Sequence, residues 1–437
     1  MASKERLGHG SHEWYLTHWG LPSLQGDLMI EACLLVTLLG LISSSRSAKS
    51  LINPFQIYFF IWFFILFDYY IFSNTYIKFP EIFLIFFLFE KIIELIFLLV
   101  INKRSLLLRG NKISISFSES HRHLILFAQI LVLIGLPLAY WRAMSLTSDA
   151  NIFSSSGYVE LRRSLTDGGK SYGIFGYFSI LSYVVSSVSV FLYKYRYISL
   201  PRIILSVTCS LFYIYFGTGR TTFLLFLCLM AVPLIMMNVI KIKGLIAFIL
   251  IFILVFIFVA GMTGKGISTS DDLLNNLKNL FNNLRSYTVA PLLAFSQLFS
   301  SSPAPEWGIN TFRFIIAIAN HLGIINIEPA NLIKNYSFVP DPTNVYTVYA
   351  PYFRDFSYFG LAAPMIFLMA HYFIYRKAAK NGGAWVFYYA ASVFPLFMQF
   401  FQDQYFSLFS MWLQIWFWFW LFAGNRKNIL RDEAACA

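Results

Sequence analysis

Long apolar runs, nearly free of charge, recur along this chain. They are Leu28–Ile42, Pro54–Ile71, Pro80–Val100, Leu124–Trp141, Ile174–Tyr193, Leu200–Gly217, Thr222–Ile240, Gly244–Met262, Phe356–Tyr372, Ala384–Phe401 and Tyr405–Phe422. A membrane-crossing helix needs about 20 mostly apolar residues. Hydrocarbon offers no partners to backbone N–H and C=O groups, so only helices and closed barrels cross it. Barrel strands alternate over roughly 10 residues. These runs are longer and do not alternate. The expectation is an all-α polytopic transmembrane helical bundle with 11 to 13 crossings, one membrane domain over residues 1–437.

Composition closes the other routes. Of 437 residues, 58% are apolar, 48 are Phe and only 12% are charged, against about 25% charged in a soluble domain. A soluble enzyme with a large core does not account for runs this long. The first run lacks the basic leader and small-residue cleavage site of a signal peptide. Cys33, Cys209, Cys228 and Cys436 are scattered, with no disulfide framework or thiolate metal spacing among them.

The net charge of +12 is spread over many short loops, unlike the single basic stripe of a nucleic-acid binder. Arg46 and Lys49; Lys103, Arg104, Arg109, Lys112 and Arg122; Lys194, Arg196 and Arg202; Lys241 and Lys243; Arg376, Lys377 and Lys380; and Arg426, Lys427 and Arg431 fall on one side of the alternation. The positive-inside rule makes that side cytoplasmic. The N-terminus is then outside and the C-terminus inside. Lys4, Arg6 and Glu31 are the residues least at ease with that assignment.

Two segments on the opposite side exceed turn length: 142–173 and 265–355. Connections beyond about 15 residues are uncommon without a function. In the second, Leu273, Leu277, Leu280 and Leu284 make one apolar stripe behind Asp271 and Asp272, which predicts a helix lying at the interface. Tyr287–Leu298 is apolar but short, and reads as a segment that enters partway and returns. Thr311–Ile325 is a further helical pattern, and Asn344–Asp355 leads into a span starting at Phe356.

The candidate chemistry is cationic. Arg220 follows Gly217-Thr218-Gly219 in a loop too short to let it wander, so it must sit near the membrane surface. An arginine there serves either as an interfacial anchor or as an anion site. The two glycines permit a tight turn or close ligand approach. Arg354, beside Asp355, borders a span in the same way. It forms either a local ion pair or the second half of a phosphate clamp, since guanidinium donors match phosphate oxygens. Arg162, Arg163 and Arg313 add positive charge in the long segments. His321 and Asp355 are candidate general bases. Tyr346, Tyr349 and Tyr352 are three apart, suited either to a membrane-surface belt or to stacking on sugar rings. No His, Asp and Glu cluster has metal-ligand spacing, so no metal or other cofactor is expected. Lys91 and Glu94 can pair on one helix face. Asp68 and Glu90 keep a transporter reading open.

This pattern resembles the Wzy-type oligosaccharide repeat unit polymerases of O-antigen and capsule pathways. The resemblance rests on the many spans, on Gly219-Arg220 at the end of a middle span and on the large late loop. That loop closes on Asp355-Phe356-Ser357-Tyr358-Phe359-Gly360, a looser form of the family's Asp-Phe-Gly. Arg162 and Gly173 have the family's Arg-to-Gly spacing of ten intervening residues; Arg313 reaches Gly323 after nine. The resemblance implies a fold similar to the GT-C-like membrane glycosyltransferases that use polyprenyl-linked donors. It implies transfer, inverting and without metal, of a growing glycan from undecaprenyl diphosphate to the next lipid-linked repeat unit. The place implied is the periplasmic face of the bacterial inner membrane. Implied partners are undecaprenyl-diphosphate-linked oligosaccharides, membrane lipids and a chain-length regulator, and no nucleic acid. An O-antigen ligase-type transferase and a lipid-linked oligosaccharide flippase are the alternatives.

Overall fold

A computed structural model describes residues 24–47, 52–105, 119–148, 151–166, 170–194, 196–237, 239–240, 273–340 and 342–423, with a few isolated positions between 244 and 254. Lys4, Arg6, Lys49, Arg109, Lys112, Lys241, Lys243, Asp271, Asp272, Arg426, Lys427, Arg431, Cys436 and most of Gly244–Met262 lie outside the described residues.

The described residues are helical almost throughout. In order the helices are α1 (Leu24–Ser47), α2 (Pro54–Ile71), α3 (Glu81–Ser105), α4 (Glu119–Ser145), α5 (Ser155–Thr166), α6 (Phe175–Lys194), α7 (Leu200–Gly217) and α8 (Arg220–Met236). Then follow α9 (Leu273–Ser301), α10 (Arg313–His321), α11 (Tyr349–Phe356), α12 (Ala363–Asn381), α13 (Ala384–Met398) and α14 (Phe409–Phe422). One small hairpin, β1 (Ser337–Phe338) against β2 (Pro342–Thr343), lies between α10 and α11.

Among the described residues six helical stretches are long and apolar enough to cross a membrane: Gly26–Ser45, Pro54–Ile71, Ser120–Ser145, Phe175–Tyr193, Leu200–Gly217 and the run Tyr349–Asn381. Arg220–Met236, Ala384–Met398 and Phe406–Phe422 are apolar but shorter. Helix α3 has the length, and Glu90, Lys91 and Glu94 interrupt its hydropathy. The expected run Gly244–Met262 lies mostly outside the described residues, and the charge cluster of α3 and the short lengths of three further apolar helices keep those runs from the six. Leu28, Phe89, Phe127 and Trp420 are among many large apolar side chains left exposed on the bundle, a surface that suits lipid and not water.

Two apolar cores organise the bundle. One gathers α4, α6, α7, α8 and α14; the other gathers α1, α2, α3, α9 and α11. The α12–α13 hairpin contributes to both, with Ala378 and Phe387 in the first and Leu368 and Leu396 in the second. Small residues permit close approach where α6 packs. Ser186 bonds Ser210 at 2.8 Å, and Ser187 donates to the Leu229 carbonyl at 2.6 Å.

Two local expectations change. Tyr287–Leu298 does not turn back: α9 is one continuous helix of 29 residues. Its apolar half packs into the second core through Val289, Leu293 and Phe295, which removes any need to return. The span expected at Phe356–Tyr372 lies within the candidate crossing Tyr349–Asn381, whose helix is interrupted near its start. Helix α11 ends at Phe356, a 3-10 turn covers Ser357–Ala362, and α12 begins at Ala363. Gly360 is required there, since a Cβ would lie 2.1 Å from the Tyr352 carbonyl oxygen.

Candidate functional site

Two cationic groups stand out. The first is built by the α7–α8 turn and α5. Thr218, not either flanking glycine, takes the left-handed conformation (φ +52°) that reverses the chain. Arg220 then opens α8. Its guanidinium lies 5.9 Å from the centre of the Tyr287 ring on α9. Helix α5 brings Arg162 to the same turn, where its Nη1 donates to the Thr218 carbonyl at 3.4 Å. Arg162 and Tyr158 are both close enough to Arg220 to act on it electrostatically. The 142–173 segment therefore converges on the Arg220 turn. Arg163 points away and is exposed.

The second group surrounds α11. Arg354 pairs with Glu306 at 3.6 Å, with both side chains partly exposed, so the pair contributes little by itself. Asp355 does not orient either arginine. Its carboxylate is fully buried and accepts from the Asn310 N–H at 3.1 Å, the Asn310 Nδ2 at 2.8 Å and the Thr311 N–H at 2.6 Å. The backbone reinforces this clamp: Glu306 N–H donates to Arg354 O, and Trp307 N–H to Asp355 O. With both oxygens committed, Asp355 holds the 306–311 segment onto α11 and is not placed as a base. Arg220 and Arg354 share no described contact. What links their groups is Tyr287, whose ring is 5.9 Å from that of Phe401. Phe401 O accepts from Thr347 N–H, just ahead of α11.

Next to α11 lies a small cleft of about 100 Å³ in which polar side chains stand among apolar ones. Arg313, Lys334, Asn310, Asn344, Tyr346 and Gln402 supply most of its polar groups. Arg313 Nε donates to the Ala330 carbonyl at 2.6 Å, and Lys334 Nζ to Asn310 Oδ1 at 2.7 Å. Partial burial pushes the pKa of both cations down; for Lys334 the charge of Arg354 adds to the effect. On the far side of the same wall is an apolar groove of about 630 Å³. Trp307, Phe312, Phe356, Phe359, Ile366 and Phe367 give it its character. The wall is thin. Asn310, Pro351 and Ser407 face the cleft, while their chain neighbours Thr311, Tyr352 and Phe406 face the groove. The arrangement suits a molecule with a polar, anionic or hydroxyl-rich part and a hydrocarbon part.

Other candidate residues fare unevenly. Tyr346 lines the cleft and donates to the Asn335 carbonyl at 2.8 Å. Tyr349 is buried in the interior against Lys91 and Glu90, so it is not available to a sugar. Tyr352 donates to Asp403 at 2.7 Å and shows only its ring to the groove. His321 is exposed in the last turn of α10, with no described contact to the cleft. Among the described residues no group of His, Cys, Asp and Glu is arranged to hold a metal ion. Sequence reasoning missed Lys334, Asn310, Gln402 and the groove aromatics. A lone lysine and scattered amides in a long loop carry no spacing signal; the density of Phe near Asp355 was the available clue to the groove.

Comparison with family models, curated proteins and solved structures gives no match to this chain.

Proposed function

We propose that this protein is a membrane glycosyltransferase acting on polyprenyl-linked glycans, in the manner of the Wzy-type polymerases it resembles in sequence. In this reading it transfers a growing glycan from undecaprenyl diphosphate to the non-reducing-end sugar of the next lipid-linked repeat unit. The reaction takes place on the periplasmic face of a bacterial inner membrane. The observation that carries the reading is a cleft holding the Arg313 and Lys334 cations and an apolar groove that share one wall beside α11. A lipid-linked glycan has both characters in one molecule.

The cations take the roles the reaction asks for. Arg313 and Lys334 hold charge at the cleft, and Arg162 and Arg220 hold more at the neighbouring turn. Attack by an acceptor hydroxyl on the anomeric carbon breaks the sugar–phosphate bond; the diphosphate leaves with the electron pair and its oxygens take up the proton that the hydroxyl loses. Fixed guanidinium and ammonium groups stabilise that developing charge without having to reorganise. Arg354, tied to Glu306, supports the wall at its edge.

The test uses the purified chain in lipid vesicles with lipid-linked repeat units. Polymer formed by the native protein, and reduced at least about tenfold in Arg313→Ala and Lys334→Ala, is the expected result; losing one such contact to a charged group costs about 1.5–3 kcal/mol. Transfer only to a lipid A core acceptor would make the protein a ligase. A flippase is the second reading, favoured by the buried charges of α3. Repeat units crossing the vesicle bilayer with no polymer formed would establish it and remove the polymerase assignment.

A further inference from the structure

Helix α3 carries two carboxylates and one ammonium inside the second core, and their hydrogen bonds are unequal. Lys91 and Glu94 are fully buried. The Lys91 ammonium has three protons, and all three are used: to Tyr58 Oη at 2.5 Å, Glu94 Oε2 at 2.9 Å and Tyr349 Oη at 3.1 Å. The Tyr58 hydroxyl passes its own proton toward Glu94 Oε1 at 2.5 Å. Both oxygens of Glu94 are therefore satisfied, one of them by a cation. The rings of Tyr58, Trp62 and Phe87 surround the ammonium at 4.6–4.9 Å.

Glu90 is served differently. Its Oε2 accepts from the Tyr349 hydroxyl at 2.7 Å and lies 3.6 Å from Lys91 Nζ, which has no proton left to give. Its Oε1 is buried with no donor among the described residues. One helical turn separates Glu90 from Glu94, and both carboxyl groups sit against the one Lys91 ammonium, at 3.6 and 2.9 Å. Like charges held this close disfavour double ionisation, so one of the two carboxyl groups keeps a proton. The charge count agrees, because two carboxylates against one ammonium leave one negative charge uncompensated in a buried site.

We propose that Glu90 binds a proton and shares it with Glu94, making the Glu90–Lys91–Glu94 cluster a proton-binding site inside the bundle. The titratable and charged groups facing it are Lys91 and Glu94 on α3, Tyr58 on α2, Tyr349 on α11 and, near Lys91, Cys33 on α1. The α9 neighbour is the apolar ring of Phe295, stacked on Tyr349 at 5.2 Å. Of the three charged side chains only that of Glu90 reaches any surface, with 14% of it exposed, so protons enter and leave through Glu90. Tyr349 is the first residue of α11, directly behind the cleft residues Tyr346 and Thr347. Loss of the proton places a negative charge against the hydroxyl that seats α11, which links proton occupancy to the wall of the cleft. This inference stands apart from the glycosyltransferase reading and is tested without substrate.

The experiment is infrared difference spectroscopy of the purified full chain in lipid nanodiscs, titrated with pH in sodium-free and sodium-containing buffer. A carboxylic acid C=O stretch present at neutral pH is expected. It should disappear in Glu90→Gln, shift in Tyr349→Phe and persist in Asp68→Asn. Absence of that band in the native protein overturns the proposal, and this arm needs no variant to fold. A band that survives in folded Glu90→Gln overturns it as well. So does a band that appears only when sodium is withdrawn, because the occupant would then be a metal cation.

Discussion

Asp355 offers the sharpest separation between a chemical and an architectural role. Replacing it with Ala removes the acceptor for two backbone N–H groups, those of Asn310 and Thr311, and for the Asn310 side chain. Hydrogen bonds to a charged group contribute about 1.5–3 kcal/mol each. Asn310 and Thr311 are buried beside the carboxylate, so the lower figure serves as a floor. Two backbone bonds at about 1.5 kcal/mol give roughly 3 kcal/mol of local opening energy, or about a hundredfold change in an opening equilibrium. Hydrogen–deuterium exchange of a peptide spanning residues 306–312 reads this directly. Exchange at Asn310 and Thr311 should speed up by about two orders of magnitude in Asp355→Ala, while a peptide within α6 stays unchanged. Unaltered protection at 310 and 311, together with lost transfer activity, would refute the clamp and return Asp355 to the role of a base.

The other expectations concern the wall and the cleft. Gly360→Ala drives a Cβ to 2.1 Å from the Tyr352 oxygen and 2.2 Å from its carbon. Backbone cannot give way as a flexible side chain can, so the cost should reach at least the ~1–3 kcal/mol typical of overpacking, seen as a lower melting temperature in detergent; unchanged melting would contradict it. Lys334 has its pKa lowered, first by burial and then by Arg354. Its charge is present at neutral pH and is lost as pH rises through that lowered value, before exposed lysines titrate near about 10.4. Affinity for a diphosphate-bearing lipid should fall across this window and become flat in Lys334→Arg, as followed by a binding titration. By linkage the unfolded chain holds this proton more tightly, so the lysine's contribution to stability rises over the same window.

What the sequence discloses here is what nearest neighbours on one helix determine. The Lys91–Glu94 pair follows from i,i+3 spacing and is present at 2.9 Å. Arg220 was confined by its short connection, whereas the approach of Arg162, on α5 in a long segment, is set by packing and not by spacing. Pairing Arg220 with Arg354 asked for more than spacing can supply: the partners of Arg354 arrive from residue 306, and those of Arg220 from residues 158, 162 and 287. Tyr349 and Tyr352 looked like Tyr346 in sequence. Tyr346 lies ahead of α11 and lines the cleft, while α11 turns Tyr349 toward Glu90 and Tyr352 toward Asp403. The break after Phe356 was hidden because Ser357-Tyr358-Phe359 continues the apolar run; it is fixed instead by the close approach of Gly360 to the Tyr352 carbonyl.

Helix α11 concentrates these relations. At 8 residues it is far below the length at which an isolated helix persists in water. Its position must therefore come from what its side chains meet, and they meet different elements. Tyr349 is held by α3, Pro351 faces the cleft, Tyr352 reaches Asp403, Arg354 reaches Glu306, and Asp355 caps the segment ahead of α10. Each attachment is modest, and together they fix one wall that is polar on one side and apolar on the other. A change at any single attachment alters both cavities at once, because the same residues form both faces. Substrate selectivity and proton occupancy at Glu90 would then be coupled through this one short helix, with no need for a domain-scale motion.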